Sequence, residues 1–231
     1  EGVVSALLTD ATFSGKPKKQ VGVLEVDERS SLKVYKYLTP DILICNNIMR
    51  DSLKRNAHTE FICYILNKQL PSSTKVVLNA DDLICSGLFP NNKDRTYFGV
   101  SADRPENGAA TDEALRDIVY CPKCGAKLET EYVRYNHIGR HHCSSCGFAS
   151  PKPDYVVTAI NREKGTFTVT HNGVDEEYKI VNDNIINIYN SCAVISVLHT
   201  FGLDYEKIHN AFETVKIVSS RFDIKKVGDY T

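Results

Sequence analysis

Several features that would assign the chain to a familiar class are missing from its sequence. No apolar run approaches the roughly 20 residues that a helix needs to cross a bilayer, and no signal-peptide pattern opens the chain. The formal net charge is only −1 at pH 7, which predicts no general attraction to nucleic acid or to an anionic membrane. No internal repeat or low-complexity tract is present. With 42% hydrophobic residues, the chain is predicted to form one large globular domain, or a domain with a small module.

The cysteines form the clearest pattern that the sequence does contain. Four of the eight cysteines form two C-x-x-C pairs that are separated by residues 125–142 and are each followed by glycine: Cys121, Cys124, Cys143 and Cys146. Zinc prefers four tetrahedral ligands, and a two-residue spacer lets both sulfurs of a pair reach one ion. The pattern predicts a zinc ribbon whose closed thiolate shell makes the ion structural. The alternatives are a disulfide pair, an iron–sulfur cluster, or a ligand supplied by one of the intervening histidines.

The remaining cysteines are scattered through apolar segments: Cys45, Cys63, Cys85 and Cys192. Such residues behave as small buried hydrophobes, and a secreted, disulfide-stapled protein would be shorter and denser in cysteine. The sequence therefore predicts the reducing cytoplasm as the compartment.

Hydrophobic patterning predicts an α/β fold for the first half of the chain. Short apolar runs at residues 21–26, 42–45, 75–79 and 96–100 are typical of buried strands. A helix is already under way in residues 1–13, and helices are predicted at 27–37 and 51–69. Strands that alternate with helices indicate right-handed βαβ units on a parallel sheet. Residues 101–117 are polar and are interpreted as a linker.

A second pattern follows the cysteines. β-Branched and aromatic segments at residues 155–158, 166–170 and 178–181 predict strands, and Asn172-Gly173 predicts a hairpin turn between the last two. Helices are predicted at about 187–201 and 204–215, with Gly202 as the C-terminal cap of the first.

Five short segments occur in the order in which they are found in Mur ligases. They are LEVDE at 24–28, NNIMRD at 46–51, LNADD at 78–82, NIYN at 187–190 and RFD at 221–223. Over essentially its whole length, the chain resembles this family. The resemblance implies a mostly parallel sheet flanked by helices, with the four-cysteine zinc ribbon inserted in the family's central domain.

The resemblance also implies domain boundaries. Residues 1–118 and 154–218 would form a discontinuous central α/β domain, and residues 119–153 would form the ribbon insert. Residues 219–231 would begin the linker to a further C-terminal domain.

The resemblance also implies a reaction. With a ribbon inserted at this position, the chain is similar to the branch of the family that modifies a peptidoglycan precursor. ATP would phosphorylate the α-carboxylate of the D-Glu of lipid II. Ammonia from a GatD-like glutaminase subunit would then attack the acyl phosphate. The implied cofactors are ATP and Mg²⁺ beside the structural Zn²⁺. The implied partners are the glutaminase and membrane-anchored lipid II, with no nucleic acid.

Four positions match functional residues of the family. Glu25 matches a Mg²⁺-binding glutamate, and a hard carboxylate suits that ion. Asn190 matches the asparagine that reads adenine, and Asn187 matches its neighbour in the same motif. Arg221 matches a contact to nucleotide phosphate, where a guanidinium fork fits. The plainer interpretations are helix capping for Glu25 and Asn187, a polar first-turn position for Asn190, and an ordinary surface position for Arg221.

The phosphate-binding loop G-x-x-x-x-G-K-[ST] is missing. In the family, this loop precedes the matched segments, and the chain opens at Glu1 without an initiator Met. We therefore expect a central-domain fragment that binds ATP poorly and is inactive alone. The alternatives are a zinc-ribbon interaction module on an α/β scaffold, and a diverged Mur-like protein without catalysis.

Two further expectations concern the ribbon and its surroundings. Asp81 and Asp82 are interpreted as a turn after a strand, and that role is favoured over contact with nucleotide. The ribbon is expected to share little core with the sheet, so Cys121→Ser would unfold the ribbon and spare most of the sheet.

Overall fold

In the computed structural model, the described residues are 2–49, 58–104 and 118–215. The strands are β1 (Ile42–Cys45), β2 (Lys75–Asn79), β3 (Arg95–Val100), β4 (Glu129–Tyr135), β5 (Ile138–His142), β6 (Tyr155–Asn161), β7 (Thr166–His171) and β8 (Val174–Lys179). The helices are α1 (Gly2–Thr9), α2 (Ser31–Tyr35), α3 (Thr59–Gln69), α4 (Leu83–Ser86), α5 (Ile185–Thr200) and α6 (Tyr205–Thr214), and a 3-10 turn (Glu28–Ser30) precedes α2.

A six-stranded sheet with the strand order β1-β2-β3-β6-β7-β8 organises the fold. Strands β1, β2, β3 and β6 run parallel, β7 pairs antiparallel with β6, and β8 pairs antiparallel with β7. The predicted α/β class and mostly parallel sheet are confirmed. Val76, Val77 and Leu78 are each 0% exposed, because helices cover both faces of a parallel sheet and its strands become continuous apolar runs.

The two faces of the sheet bury separate hydrophobic clusters, since successive side chains of a strand point to opposite sides. Val77 packs in a cluster that includes Phe98 of β3 and Ile195 of α5. Val76 lies on the other side, in a cluster with Ile62 of α3. Helices α5 and α6 therefore cover one face, and α3 covers the other.

The predicted turn chemistry of the second half is confirmed. Asn172 and Gly173 have φ values of 50° and 78°, as a two-residue hairpin turn requires for the right-handed twist of β7 and β8. Gly202 has φ 79° and follows the end of α5. Its N–H donates to the carbonyl of His199 at 2.9 Å, which caps the helix.

The strand predicted at residues 21–26 is wrong. This segment has no regular structure, and Val21 and Val23 are 55% and 92% exposed. A buried strand needs a hydrogen-bonded neighbour, and no strand of the described ranges pairs with the segment or with the outer edge of β1. Residues 2–27, which we call the N-terminal segment, contain no buried residue. The helix predicted from 51 is described from Thr59 onward, and residues 51–57 lie outside the described residues.

The ribbon hairpin of β4 and β5 follows β3 in the chain and precedes β6. The expectation that it shares little core with the sheet is wrong. Ile138 of β5 is 0% exposed and belongs to the same cluster as Val77. Leu83 of α4 forms a further cluster with ribbon residues, among them Cys121 and Cys143. The hairpin therefore contributes to the hydrophobic core of the domain.

Within the described ranges, the helices are all too short or too polar to span a bilayer.

Candidate functional site

The four predicted zinc ligands lie together at the base of the ribbon. The Sγ atoms of Cys121 and Cys146 are 3.6 Å apart, as are those of Cys124 and Cys143, and all four lie within 4.8 Å of one another. Tetrahedral zinc with Zn–S bonds of about 2.3 Å places neighbouring sulfurs about 3.8 Å apart, whereas a disulfide needs about 2.05 Å. The donor set fits one zinc ion and does not fit a disulfide.

The backbone of each knuckle is shaped by its glycine. Gly125 and Gly147 have φ values of 76° and 74°, where a side chain would be strained. Their N–H groups each donate to the carbonyl of the first cysteine of the pair at 2.9 Å. The N–H of Ala126, followed by the neighbouring thiols, lowers the pKa of Cys124 to about 7. A thiolate for metal binding is therefore available near neutral pH.

The ribbon histidines have other partners. His137 Nε2 lies 3.2 Å from Asp82 Oδ1, and His141 contacts Thr130 Oγ1 at 3.1 Å. His142 Nε2 lies 3.1 Å from a carboxylate oxygen of Glu129. These contacts favour the four cysteines over a set in which histidine replaces one of them.

The ribbon is anchored to the sheet by two buried carboxylates that follow β2. Asp82 is 0% exposed and caps α4, accepting the N–H groups of Ile84 and Cys85 at 2.9 Å. It also accepts the N–H of Ile48 at 2.8 Å and contacts His137 of the ribbon. The predicted turn is present, but Asp82 does more, because it joins the segment after β1, helix α4 and the ribbon.

Asp81 forms the second link. It is 1% exposed and accepts the N–H of Val100 at 2.9 Å and the hydroxyl of Tyr189 at 2.7 Å. Arg140 of β5 lies 3.3 Å from it, and the N–H of Gly139 donates to its carbonyl at 2.7 Å. A Cβ at Gly139 would lie 2.0 Å from the carbonyl oxygen of Tyr132, so only glycine permits β5 to lie this close to β4.

Three amide side chains meet at the same edge of the sheet. Asn79, the last residue of β2, donates to the carbonyl of Asn46 at 2.9 Å, and Asn46 follows β1. The side chain of Asn46 donates to Asn190 Oδ1 of α5 at 3.0 Å. Asn46 Oδ1 is buried and has no hydrogen-bond partner among the described residues. The carboxyl ends of parallel strands are where α/β sheets bind ligands, so this carboxyl edge is the candidate ligand site.

Comparison with known proteins identifies relatives of the chain. MurT, named a subunit of lipid II isoglutaminyl synthase (glutamine-hydrolyzing), is 31% identical in Staphylococcus aureus strain COL over 92% of this chain and 46% of the relative. MurT of Streptococcus pneumoniae is 28% identical over 99% of this chain and 50% of its own length. No family model matches.

The chain is a homologue of MurT. It spans about half the length of the curated MurT relatives that it matches. A pseudomurein peptide ligase type C from Methanothermus fervidus superimposes with a TM-score of 0.64 at 25% identity, over 79% of this chain and 36% of that one. MurF from Acinetobacter baumannii shares the fold, with a TM-score of 0.51 at 12% identity over 84% and 34% of the two chains. The sheet and its helices thus have the fold of a Mur ligase.

The positions carried over from the Mur ligases fall in different surroundings. Asn190 lies at the carboxyl edge, and Asn187 is partly buried in the first turn of α5. Asn187 is not the N-cap of this helix, because Asn184 holds that position and accepts the N–H of Ile186. Glu25 is exposed in the N-terminal segment, and no described hydrogen bond or ion pair joins it to the edge residues. Arg221 lies outside the described residues.

The sequence did not show which contacts hold this edge together. Asp81, Asp82 and Asn46 belong to the family-like segments, but nothing in their spacing showed that they contact the ribbon. Among the scattered cysteines, Cys85 and Cys192 are buried as predicted, whereas Cys45 and Cys63 are only partly buried and pack against the cluster on the α3 side. Burial raises the pKa of Cys63 and of Cys192 to about 12, which makes both thiols inert near neutral pH.

Proposed function

We propose that the chain forms the central domain of an ATP-dependent carbon–nitrogen ligase that amidates lipid II. In this reaction, ATP phosphorylates the α-carboxylate of D-Glu, and ammonia displaces the phosphate. A glutaminase subunit supplies the ammonia. The similarity to MurT over 92% of the chain carries the proposal, since that relative is named as a glutamine-hydrolyzing synthase subunit.

The nucleotide is assigned to the carboxyl edge. Asn190 is hydrogen-bonded to Asn46 there, and the buried Oδ1 of Asn46 lacks a described partner. An unpaired buried acceptor costs free energy, and the amino group of adenine would donate to it. Asn187 lies one helical turn before Asn190, on the same side of α5. We propose that these asparagines contact the base.

The remaining cofactor assignments rest on the family resemblance. Arg221 is proposed to contact a phosphate group. Glu25 is proposed as a Mg²⁺ ligand, although its exposed position in the N-terminal segment adds no support. Asp81 and Asp82 are not assigned to Mg²⁺, because backbone N–H groups and the ribbon already occupy their oxygens.

Zinc is assigned to the four cysteines. A shell of four thiolates leaves no position for water, so the ion supplies structure and no chemistry. ATP-dependent chemistry and cysteines that are all free fit a cytoplasmic protein, which we propose as the compartment.

The reaction is tested with the full-length gene product, lipid II, ATP, Mg²⁺ and ammonium chloride. Mass spectrometry should show one hydroxyl of lipid II replaced by an amino group, and ADP release should require lipid II. Asn190→Ala should raise the KM for ATP at least about tenfold, the loss expected for about 1.4 kcal/mol of binding. Asn182→Ala, at a position just before α5, is the matched control and should leave that KM unchanged.

A second candidate is a peptide ligase, favoured by the superposition on the pseudomurein peptide ligase. Its nucleophile would be the amino group of an amino acid or peptide in place of ammonia. The same assay separates the two, because each nucleophile is supplied alone and ADP release is followed. If neither nucleophile supports ADP release by folded protein in repeated tests, a diverged non-catalytic protein or an interaction module is favoured.

A further inference from the structure

Two histidines and a glutamate converge away from the carboxyl edge, beside the β7–β8 hairpin. His171 is the last residue of β7, Glu176 lies on β8 across the hairpin turn, and His199 lies in the last turn of α5. Their ligand atoms lie within 4.8 Å of one another. The hairpin brings the first two together, and the packing of α5 on the sheet adds the third.

The distances within the cluster fit a coordination sphere. His199 Nε2 is 2.9 Å from Glu176 Oε2, and His171 Nε2 is 3.2 Å from Oε1. Ligands at about 2.0–2.1 Å from a metal ion lie about 2.9 Å apart at an octahedral edge and about 3.3 Å apart at a tetrahedral edge. These two distances, and the 4.8 Å limit on all three ligand atoms, are compatible with one ion.

Hydrogen bonding within the cluster is incomplete. Glu176 accepts the hydroxyl of Tyr178 at 2.5 Å as well as the contact from His199. Both ring nitrogens of His171 are buried, and neither makes a hydrogen bond of acceptable geometry with a described residue. Its approach to Glu176 is a close contact only. A buried imidazole whose nitrogens lack a well-formed hydrogen bond is costly, and a metal ion would bind one of these nitrogens.

Burial limits the site without closing it. The side chains of His171, Glu176 and His199 are 14%, 8% and 13% exposed. The ring of Tyr155 stacks on His171, with centroids 4.7 Å apart, and lies 5.8 Å from the ring of His199. These contacts restrict the orientation of both imidazoles, as ligand orientation requires.

We propose that His171, Glu176 and His199 form a second metal site, which binds a divalent transition-metal ion such as Zn²⁺. Imidazole is a borderline donor that suits zinc, zinc also accepts a carboxylate oxygen, and three protein ligands leave a position for water. Bound metal would pin the C-terminal end of α5 to the β7–β8 hairpin. Asn190 lies nine positions before His199, about 14 Å away along the helix axis, so the site is separate from the candidate nucleotide edge and does not depend on the proposed function.

Cobalt distinguishes this site from the ribbon, because thiolate ligands give Co²⁺ intense sulfur-to-metal charge-transfer absorption and imidazole and carboxylate ligands do not. The purified, metal-stripped chain is titrated with Co²⁺ under reducing conditions. The charge-transfer absorption should saturate at one equivalent. A second equivalent should bind with only weak d–d bands. Zinc should displace both ions.

Two variants and a matched control assign the second equivalent. Glu176→Gln keeps the shape of the side chain, and His199→Asn shortens a ligand at the end of a helix. Each should weaken the binding of the second equivalent of Co²⁺ at least about tenfold and leave the charge-transfer absorption intact. Glu177→Gln changes the next residue of β8, which points to the exposed side, and should retain both equivalents. Circular dichroism establishes that each variant is folded.

Saturation at one equivalent in the folded wild-type chain would overturn the proposal. A second equivalent that binds equally well to Glu176→Gln and His199→Asn would also overturn it, since the ion would then be held elsewhere.

Discussion

The N-terminal segment and the four-cysteine ribbon differ from what the sequence predicts in opposite ways. An apolar run at residues 21–26 predicts a core strand, yet no residue of the segment 2–27 is buried. The sequence predicts that the ribbon is a separate insert. In the structure, the ribbon buries Ile138 in the main core and contacts both Asp81 and Asp82. Hydrophobic patterning reports what a segment can bury, whereas its neighbours decide whether it is buried.

Polar contacts explain how a small insert becomes part of the domain. The ribbon meets the sheet through buried, charge-assisted hydrogen bonds, which are stronger than neutral ones and costly to break singly. Arg134 adds bonds to the carbonyls of Val100 and Ala102 at 2.9 and 2.5 Å, at the end of β3 and just after it. The candidate nucleotide edge and the ribbon therefore share the same supporting residues.

Loss of a zinc ligand should have the largest effect. Cys143 is 1% exposed and packs with Leu83 of α4, so Cys143→Ser should remove zinc and also disturb the sheet edge. We expect a decrease of at least about 3 kcal/mol in the free energy of unfolding, measured by urea unfolding of both proteins in excess zinc. Cys63→Ser, outside the ribbon, is the control that should retain zinc. If the sheet of the Cys143→Ser variant unfolded at the wild-type midpoint, the ribbon would be a separate folding unit.

Asp82→Asn tests the link itself. The neutral amide cannot make one of the four contacts of the carboxylate. We therefore expect the free energy of unfolding to fall by about 2–4 kcal/mol. Asp94→Asn is the matched control, because Asp94 is 64% exposed and pairs with Lys75 at the surface. Thermal unfolding should separate the two variants clearly. Equal melting temperatures would mean that the buried link contributes nothing.

Tyr189→Phe removes the hydroxyl that donates a hydrogen bond to Asp81 and should lower the free energy of unfolding by about 1–2 kcal/mol. Burial, and then the charge of Asp81, raises the pKa of Tyr189 well above its ordinary value. The folded state thus holds a proton that the unfolded state loses above about pH 10, so stability falls as pH rises through that range. The difference in stability between wild type and Tyr189→Phe should narrow above about pH 10. A constant difference would contradict this assignment.

Substitution in the N-terminal segment should have the smallest effect. Val23 is 92% exposed, so Val23→Ser should change stability by no more than about 0.5 kcal/mol. Val77→Ser, in the buried strand β2, is the comparison and should be severely destabilising. A large effect of Val23→Ser on the unfolding midpoint would show that the N-terminal segment contributes to the core.

Local signals made much of the fold predictable. Strand β2 has the bounds that its apolar run predicts, and the Asn172-Gly173 turn and the cap at Gly202 follow from backbone chemistry within a few residues. The four cysteines were found because each pair lies on one short turn. Contacts between distant segments leave no such spacing, which is why the bond of Asn46 to Asn190 and the cluster of His171, Glu176 and His199 emerge only from the folded chain.

We infer that the ribbon and the carboxyl edge form one cooperative unit, and hydrogen exchange measures their coupling directly. Zinc is removed from the wild-type chain with a chelator, and backbone exchange is followed by NMR. The N–H groups of Ile48, Cys85 and Val100, which donate to Asp82 and Asp81, should exchange at least about tenfold faster, as expected when about 1.4 kcal/mol of local stability is lost. Faster exchange confined to residues 119–153, with these three amides unchanged, would contradict the claim.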